Sequence, residues 1–307
     1  ATAGVSVETA VEKLLLGRAD CMFAGAFDDL SYAGTVGFDD MAATIDTAFM
    51  EDQQIPPYAM SRPHDRNRKG FVEAQGGGTL MLMKVSRALE LGLPIHGIIG
   101  DVWTFGDGFH QSIPAPGLGM LAVARGGDQS RLSLALQRLG LDIDSVGVIS
   151  THGTSTPVND PHETGMYERI FRALGRSPLN PVYVISQKAV TGHPKGGAAA
   201  FQMNGMMQAM RDGVIPGHRN LDALEPREQG FEHLVFPSRA HAVSPQRLRA
   251  GLITTLGFGH VSSMLLLINP SVLFGALPRE AMENYQAQVE SRRDLAREER
   301  LRLGLEP

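Results

Sequence analysis

The chain has a single cysteine among 307 residues, one tryptophan, and no apolar run of the roughly 18 to 20 residues that a bilayer crossing needs. One cysteine, Cys21, excludes an internal disulfide framework and accords with a reducing, cytoplasmic setting. No secretory n-region and h-region stands at the start. Charge of either sign is not in large excess: the formal balance is -5, with a pI near 6.1, which gives no reason to expect nucleic acid or an anionic membrane as partner. Two common site motifs are missing as well. Gly192-His193-Pro194-Lys195-Gly196 lacks the spacer and the Gly-Lys-Ser/Thr ending of a phosphate loop, and His162-Glu163 has Met166 and Tyr167 where a zinc protease needs its second histidine. Histidines 64, 110, 218, 233, 241 and 260 form no ligand ladder, so no metal is expected, and most of them are expected at the surface or behind a site.

What is present is a 43% hydrophobic composition rich in glycine and alanine, suited to tight packing of helices on sheet. Val5, Val7, Ala10, Val11, Leu14 and Leu15 share a helical face over 5–16, and Gly17 stops it. Residues 21–27 read as a buried strand, 70–83 as a strand leading toward a hairpin or neighbouring strand and then a helix with Ala88 and Leu89, and 94–100 as another strand. Pro114 to Gly119 punctuates the chain before a helix expected to reach about Leu139. Strands at 146–150, 182–185, 251–256 and 264–268 alternate with helices at 161–174 and 198–211. Strands alternating with helices predict an α/β, layered architecture. Glu280 to Arg302 reads as an exposed charged helix or a linker.

Two glycine-rich histidine segments carry the chemistry. Thr151-His152-Gly153-Thr154-Ser155-Thr156 follows one strand, and Lys188-Ala189-Val190-Thr191-Gly192-His193 follows another. Small residues beside each histidine leave the backbone open to a substrate. Two neutral imidazoles can donate hydrogen bonds to a thioester oxygen and hold the charge that forms when a malonyl group loses carbon dioxide. Lys188 is read either as orienting a histidine or as forming a buried ion pair with Glu163. Thr154 and Thr156, two apart, face one side of an extended segment and offer hydroxyls to an amide-bearing arm. Leu256-Gly257-Phe258-Gly259-His260 offers the Phe258 N–H to an oxyanion hole and its ring as a gate.

Arg62-Pro63-His64-Asp65-Arg66-Asn67-Arg68-Lys69 is basic for an acidic chain and reads as a solvated loop joined through Asp65, or as a surface for an acidic carrier. Met203, Met206, Met207 and Met210 recur near helical spacing, as a core or interface stripe or as part of an acyl tunnel.

These segments resemble, in order and spacing, the condensing-enzyme family, and in particular the β-ketoacyl synthase domain of type I fatty acid synthases of the fungal and actinobacterial kind. The resemblance runs from Ala1 to about Phe274. It implies a thiolase-like layered α-β-α-β-α fold with an incomplete N-terminal half: residues 1–125 as the remaining part of the first half, 126–274 as the second, and 275–307 as a charged helix or linker. It implies His152 and His193 as the decarboxylation and condensation pair, Lys188 as their support, Thr154 and Thr156 as contacts to phosphopantetheine, Phe258 as the gate, and Asp160 and Glu163 as a structural polar network. No intrinsic cofactor is implied; phosphopantetheine arrives on an acyl carrier protein domain bearing acyl and malonyl thioesters. Implied partners are that carrier domain, a second ketoacyl synthase domain in a dimer, and other domains of a fatty acid synthase.

The opening Ala1-Thr2 and Ser6-Val7-Glu8 resemble the sequence just after the family's nucleophile, which places the expected cysteine directly before Ala1, at a helix start that would stabilise a thiolate. Cys21 does not hold that position. Ala74-Gln75-Gly76 departs from the family's Gly-Glu-Gly, and the connection at Gly126 to Gln129 is short, as in actinobacterial members. The chain alone is expected to be inactive unless another supplies the nucleophile. A polyketide ketosynthase, or a noncatalytic chain-length or decarboxylase-like partner, is the alternative, and a coenzyme A thiolase fits the two-histidine pattern less well.

Overall fold

The computed structural model describes residues 1–106, 118–259 and 261–305. Among the described residues, ten strands form three sheets. In the first, β1 (Cys21–Asp28) pairs antiparallel with β2 (Gly76–Met83). The main sheet has six strands in the order β3 (Ile98–Gly106), β10 (Val261–Ile268), β9 (Ala250–Gly257), β4 (Val146–Ser150), β5 (Val182–Ile185) and β7 (Leu234–Val235). Its β3–β10–β9 edge is antiparallel and the rest is parallel. A small pair, β6 (Val214–Ile215) with β8 (His241–Ala242), completes the set.

Helices α1 (Thr2–Leu15) and α9 (Ala198–Asp212) lie between the two larger sheets. The reason is in their sequences. Ala3, Val7, Ala10 and Leu14 recur at three- and four-residue intervals on α1, and Ala199, Met203, Met206 and Met210 do so on α9; both stripes pack with Ala24 of β1 and with Val148, Ile253 and Leu265 of the main sheet. Gly4 permits the close approach of α1 to β10, because a Cβ there would stand 2.5 Å from the Ser263 hydroxyl. The other face of the main sheet is covered by α5 (Leu118–Leu121), α6 (Arg131–Gln137) and α7 (Asn159–Ala173), through Met120, Leu132, Leu136, Ile170 and Phe171. Each such large apolar side chain, fully buried, contributes about 1.5–3 kcal/mol. The layers thus run sheet, helices, sheet, helices among the described residues, as the predicted layered α/β fold requires. The remaining helices are short or peripheral: α2 (Tyr32–Asp40), α3 (Thr47–Asp52), α4 (Val85–Glu90), α8 (Lys188–Thr191), α10 (Pro270–Phe274) and α11 (Arg279–Arg302).

Several expectations need correction. The strand at 21–27 forms but is not buried, since its outward face leaves Phe23 and Phe27 70% and 71% exposed. The long helix expected before Leu139 is broken into α5, two 3-10 turns and α6, because Gly126 and Gly127 take φ of 102° and 58°, outside the helical region; Pro114 to Gly117 lies outside the described residues. The strand expected at 94–100 starts only at Ile98. The basic segment 62–69 is not a solvated loop, for Arg62, His64, Asp65 and Arg68 are all buried. The charged tail is a helix rather than a linker, and its first half docks: Tyr285 donates to the Leu93 carbonyl at 2.9 Å, and Val289 is buried. Strand β3, although within residues 1–125, is hydrogen-bonded to β10 in the main sheet.

Gly147 in β4 faces the backbone carbonyl of Arg247, with no room for a Cβ. Gly147→Ala is therefore expected to lower the unfolding free energy by about 1–3 kcal/mol, the usual cost of overpacking, as read by urea denaturation. An unchanged midpoint would contradict the packing of β4 in the sheet centre.

Candidate active site

Strand β4 runs between β9 and β5 and ends at Ser150, which delivers Thr151 and His152 to the end of the main sheet. The chain then turns through Gly153 and Ser155, at φ of 34° and 66°. Turning leaves successive N–H groups without sheet partners, and the first turns of α7 supply acceptors. Glu163 accepts from the N–H of His152 at 2.6 Å and of Gly153 at 3.0 Å; Asp160 accepts from Thr154 at 3.0 Å and, with its second oxygen, from the His64 N–H at 3.0 Å. Gln202 of α9 donates to the carbonyls of Thr151 and Thr254 at 2.8 and 3.0 Å. The Thr254 hydroxyl in turn donates to Glu163. Both carboxylates are spent on the loop and are fully buried, so the polar network expected of Asp160 and Glu163 has concrete acceptors and donors.

Lys188 is 2% exposed and donates to both the Nδ1 atom of His152, at 3.2 Å, and the His152 carbonyl. Of the two roles read for it from sequence, the structure places it on the histidine; no ion pair to Glu163 forms among the described residues. An ammonium donating to Nδ1 requires a lone pair there, so the proton of His152 resides on Nε2. The His193 ring stands 5.1 Å from that of His152, centroid to centroid, with the planes at 86°. Its segment is pinned by the His193 N–H donating to the Val72 carbonyl at 2.8 Å, and by Gly192, whose φ of 66° and close neighbours Ala74 and Val72 leave no space for a side chain.

Burial drives the electrostatics. It holds His152 well below the ordinary histidine range, helped by the Lys188 charge and by His193. His193 is lowered in the same way, by burial and then by Lys188. Burial also lowers Lys188 to about 8, against the opposing pull of Glu163 and Asp160. The start of α1 lies beside the His193 segment, since a Cβ on Gly196 would stand 3.5 Å from the Thr2 hydroxyl. A Cβ on Gly257 would stand 3.5 Å from the Ala1 nitrogen, so the turn carrying Phe258 lies against that helix start.

The sequence-predicted residues therefore converge. His152, His193 and Lys188 form the buried centre. Phe258, 40% exposed between β9 and β10, sits at its rim, its ring tilted at 47° against that of Phe38 with centroids 5.2 Å apart. The segment is not extended as expected, since it turns at Ser155, and the hydroxyls of Thr154 and Thr156 meet across that turn at 3.0 Å; with one proton spent on that bond, the other can donate to a ligand. Cys21 is exposed at the far end of β1, where it pairs with Met83. Met203, Met206 and Met210 are core, while Met203 and Met207 also line an apolar cleft of about 790 Å³ whose walls include neither His152 nor His193.

Other residues behind the site were not legible as such. His64, expected at the surface or behind the site, is wholly buried: its Nδ1 meets Glu228 at 2.9 Å and its Nε2 meets the Thr151 hydroxyl at 3.1 Å. Burial opposes a charge on His64, but Glu228 raises it. His218, 5.3 Å away ring to ring, is lowered to about 3 by burial and by His64. Arg62 and Arg68 anchor the same layer through Asp65, Asp222 and Glu225. The signal was present in the density of charge between Arg62 and Lys69 in an otherwise acidic chain. Away from this centre, Glu168, Glu232 and His233 gather at a spacing that a metal could use, but Arg172 already pairs with Glu168 at 3.1 Å.

Two family models match the chain: the N-terminal domain of the β-ketoacyl synthases over residues 1–88, and the C-terminal domain over residues 96–222. Fatty acid synthase 2 of Mycosarcoma maydis is 39% identical over 295 residues, covering 96% of this chain and 8% of the relative. The fatty acid synthase subunit alpha of Saccharomyces cerevisiae is 31% identical over 377 residues, 95% of this chain and 20% of its own length. The chain thus spans only a small part of these relatives. Among solved structures, the ketosynthase FabY from P. aeruginosa superposes with a TM-score of 0.84 at 26% identity, over 97% of this chain and 46% of that one. The ishigamide ketosynthase/chain length factor shares the fold, with a TM-score of 0.69 at 24% identity, over 88% of this chain and 59% of that one.

Lys188 yields a test of the enclosure. Folded, it releases its proton near 8; unfolded, it keeps it to about 10.5. Below that window both states are protonated, and within it the unfolded chain binds more protons, so stability rises with pH. The unfolding free energy of wild type minus that of Lys188→Met is expected to rise from pH 8 to 10.5. A flat difference across that range would contradict a buried lysine.

Proposed function

Since the chain belongs to the β-ketoacyl synthase family, we propose that it carries the decarboxylation and condensation centre of a fatty acid ketoacyl synthase. The observation that supports this reading most is the pair of buried, neutral imidazoles 5.1 Å apart, one held in its Nε2–H form by Lys188.

In this reading His152 and His193 donate N–H to the thioester oxygen of a malonyl group. The bond to the carboxylate breaks, its electron pair passes into the carbonyl as an enolate, and carbon dioxide leaves. Neutral donors in a dry pocket stabilise that oxygen without losing a proton to it. The enolate carbon then attacks the carbonyl of an acyl thioester held beside it, expelling thiolate and giving a 3-ketoacyl thioester. Proximity replaces an encounter in solution.

The acyl group needs a thiol. We place that cysteine on the residue that precedes Ala1 in a longer polypeptide, since Ala1 opens α1 against the Gly257 turn and the next residue, Thr2, lies beside Gly196 of the His193 segment. A thiolate at that position gains from the free N–H groups of the first helical turn. Cys21, exposed on β1, takes no part. The N–H of Phe258 is proposed as the oxyanion donor for acyl transfer and its ring as the gate.

Malonyl and acyl groups arrive on the phosphopantetheine of an acyl carrier protein domain, with Thr154 and Thr156 contacting its amides. The much longer fatty acid synthase relatives support a setting with further synthase domains, and pairing with a second ketoacyl synthase domain in a dimer belongs to the same proposal. No helix among the described residues is long and apolar enough to cross a membrane, and the cytoplasm is the proposed compartment. Retention of both histidines weighs against a noncatalytic chain-length partner.

Carbon dioxide release from a malonyl-pantetheine thioester by the native polypeptide tests this. His152→Ala and His193→Ala are each expected to slow it by about 10²-fold or more, and undiminished release in both variants would overturn the assignment. Alkylation by iodoacetamide is expected to abolish condensation through the residue before Ala1, whereas Cys21→Ser leaves both condensation and its sensitivity unchanged. Loss of condensation in Cys21→Ser would contradict the placement of the nucleophile.

A further inference from the structure

Lys195 lies two residues beyond His193, and the chemistry above leaves it unused. Its ammonium is 2.9 Å from Glu73 Oε1, with the two side chains 15% and 8% exposed, so water screens the pair little. Glu73 is the residue that forms a parallel bridge with His193, and the next N–H along, that of Ala74, donates to the His193 carbonyl at 3.3 Å. Thus the ion pair closes a ring around the His193 backbone. The Lys195 backbone is itself displaced to a φ of 34°, a left-handed conformation that costs a residue with a Cβ something to hold.

The same ammonium stands over the Phe38 ring, 5.4 Å from its centroid. Phe38 in turn meets Phe258 in a tilted contact at 5.2 Å and Phe71 edge-on at 5.6 Å, and Phe71 meets the His193 ring at 5.0 Å. One cation therefore touches both the support of a histidine and the aromatic chain that ends at the rim.

We propose that Lys195 is a positioning residue that fixes the His193 segment through Glu73 and couples it, through Phe38, to the position of the Phe258 rim. This builds on the function proposed above. Direct contact with substrate is not required; what Lys195 controls is where the His193 ring stands when the rim is closed. Its charge also disfavours protonation of His193, in company with Lys188, while Glu73 is the carboxylate left uncompensated when Lys195 is neutralised.

The test measures carbon dioxide release and condensation by the native polypeptide bearing Lys195→Met, Lys195→Arg, Glu73→Gln, Phe38→Leu or the Lys195→Met/Phe38→Leu pair. Lys195→Met is expected to lower kcat for release about tenfold with KM unchanged, and to move the acid limb of its profile to higher pH. Lys195→Arg keeps the charge, the ion pair and the ring contact, and should restore most of the rate. Glu73→Gln should lower kcat in the same way. In condensation, the double variant should lose less than the product of the single losses, the signature of residues acting through one another. Wild-type rate and pH profile in both Lys195→Met and Glu73→Gln would overturn the positioning role, as would Lys195→Arg as slow as Lys195→Met. Strictly multiplicative losses would overturn the coupling to the rim. Absence of carbon dioxide release from wild type would instead contradict the function proposed for the site, which keeps the two failures apart.

Discussion

Everything in this centre depends on placing three nitrogen bases, His152, His193 and Lys188, in a space almost closed to water. A buried cation is costly, and two beside one another are costlier. The fold meets that cost by letting only one group keep the charge: Lys188 remains cationic in neutral solution, and its field, added to burial, keeps both imidazoles neutral. Neutral imidazoles are what a hydrogen-bond donor to a developing oxyanion has to be if it is to remain a donor without becoming an acid.

The architecture serves that arrangement. The six-stranded sheet delivers His152 at the end of β4, and α7 returns two carboxylates to hold its loop while their charge partly balances Lys188. Helix α1, packed between the sheets by a stripe of small residues, brings its N terminus to the same point. Behind the loop, a second buried layer of His64, Glu228, Asp65, Arg62 and Arg68 fixes Thr151 and Asp160 from the other side. A pair such as His64 and Glu228 contributes little net stability when intact, and its value here is geometric, because breaking it would strand a buried charge.

Much of this was legible in the chain. Alternating apolar strands and helices gave the layered fold, and the two glycine-framed histidines with their lysine marked the centre, because period and spacing are local properties. What could not be read was set by contacts remote in sequence. Whether 62–69 meets water or Glu225 and Asp222 depends on a segment about 160 positions away, and charge composition alone favours the surface. Phe23 and Phe27 look like core residues, yet they face outward because the alternation of a strand fixes which face meets α1. The break before α6 follows from two positive-φ glycines whose local pattern still scanned as helical. Lys195 drew notice only as a failed phosphate loop; its partners Glu73 and Phe38 come from separate stretches of chain.

The central claim is that His152 and His193 are both neutral, with the proton of His152 on Nε2. Side-chain 15N NMR of histidine-labelled protein, titrated from pH 8 downward, reads charge and tautomer directly. The account predicts that both rings remain neutral well below the ordinary histidine pKa of about 6.5, with His152 showing the Nε2–H pattern throughout. An imidazolium signal from either ring near neutral pH, or a protonated Nδ1 on His152, would contradict it.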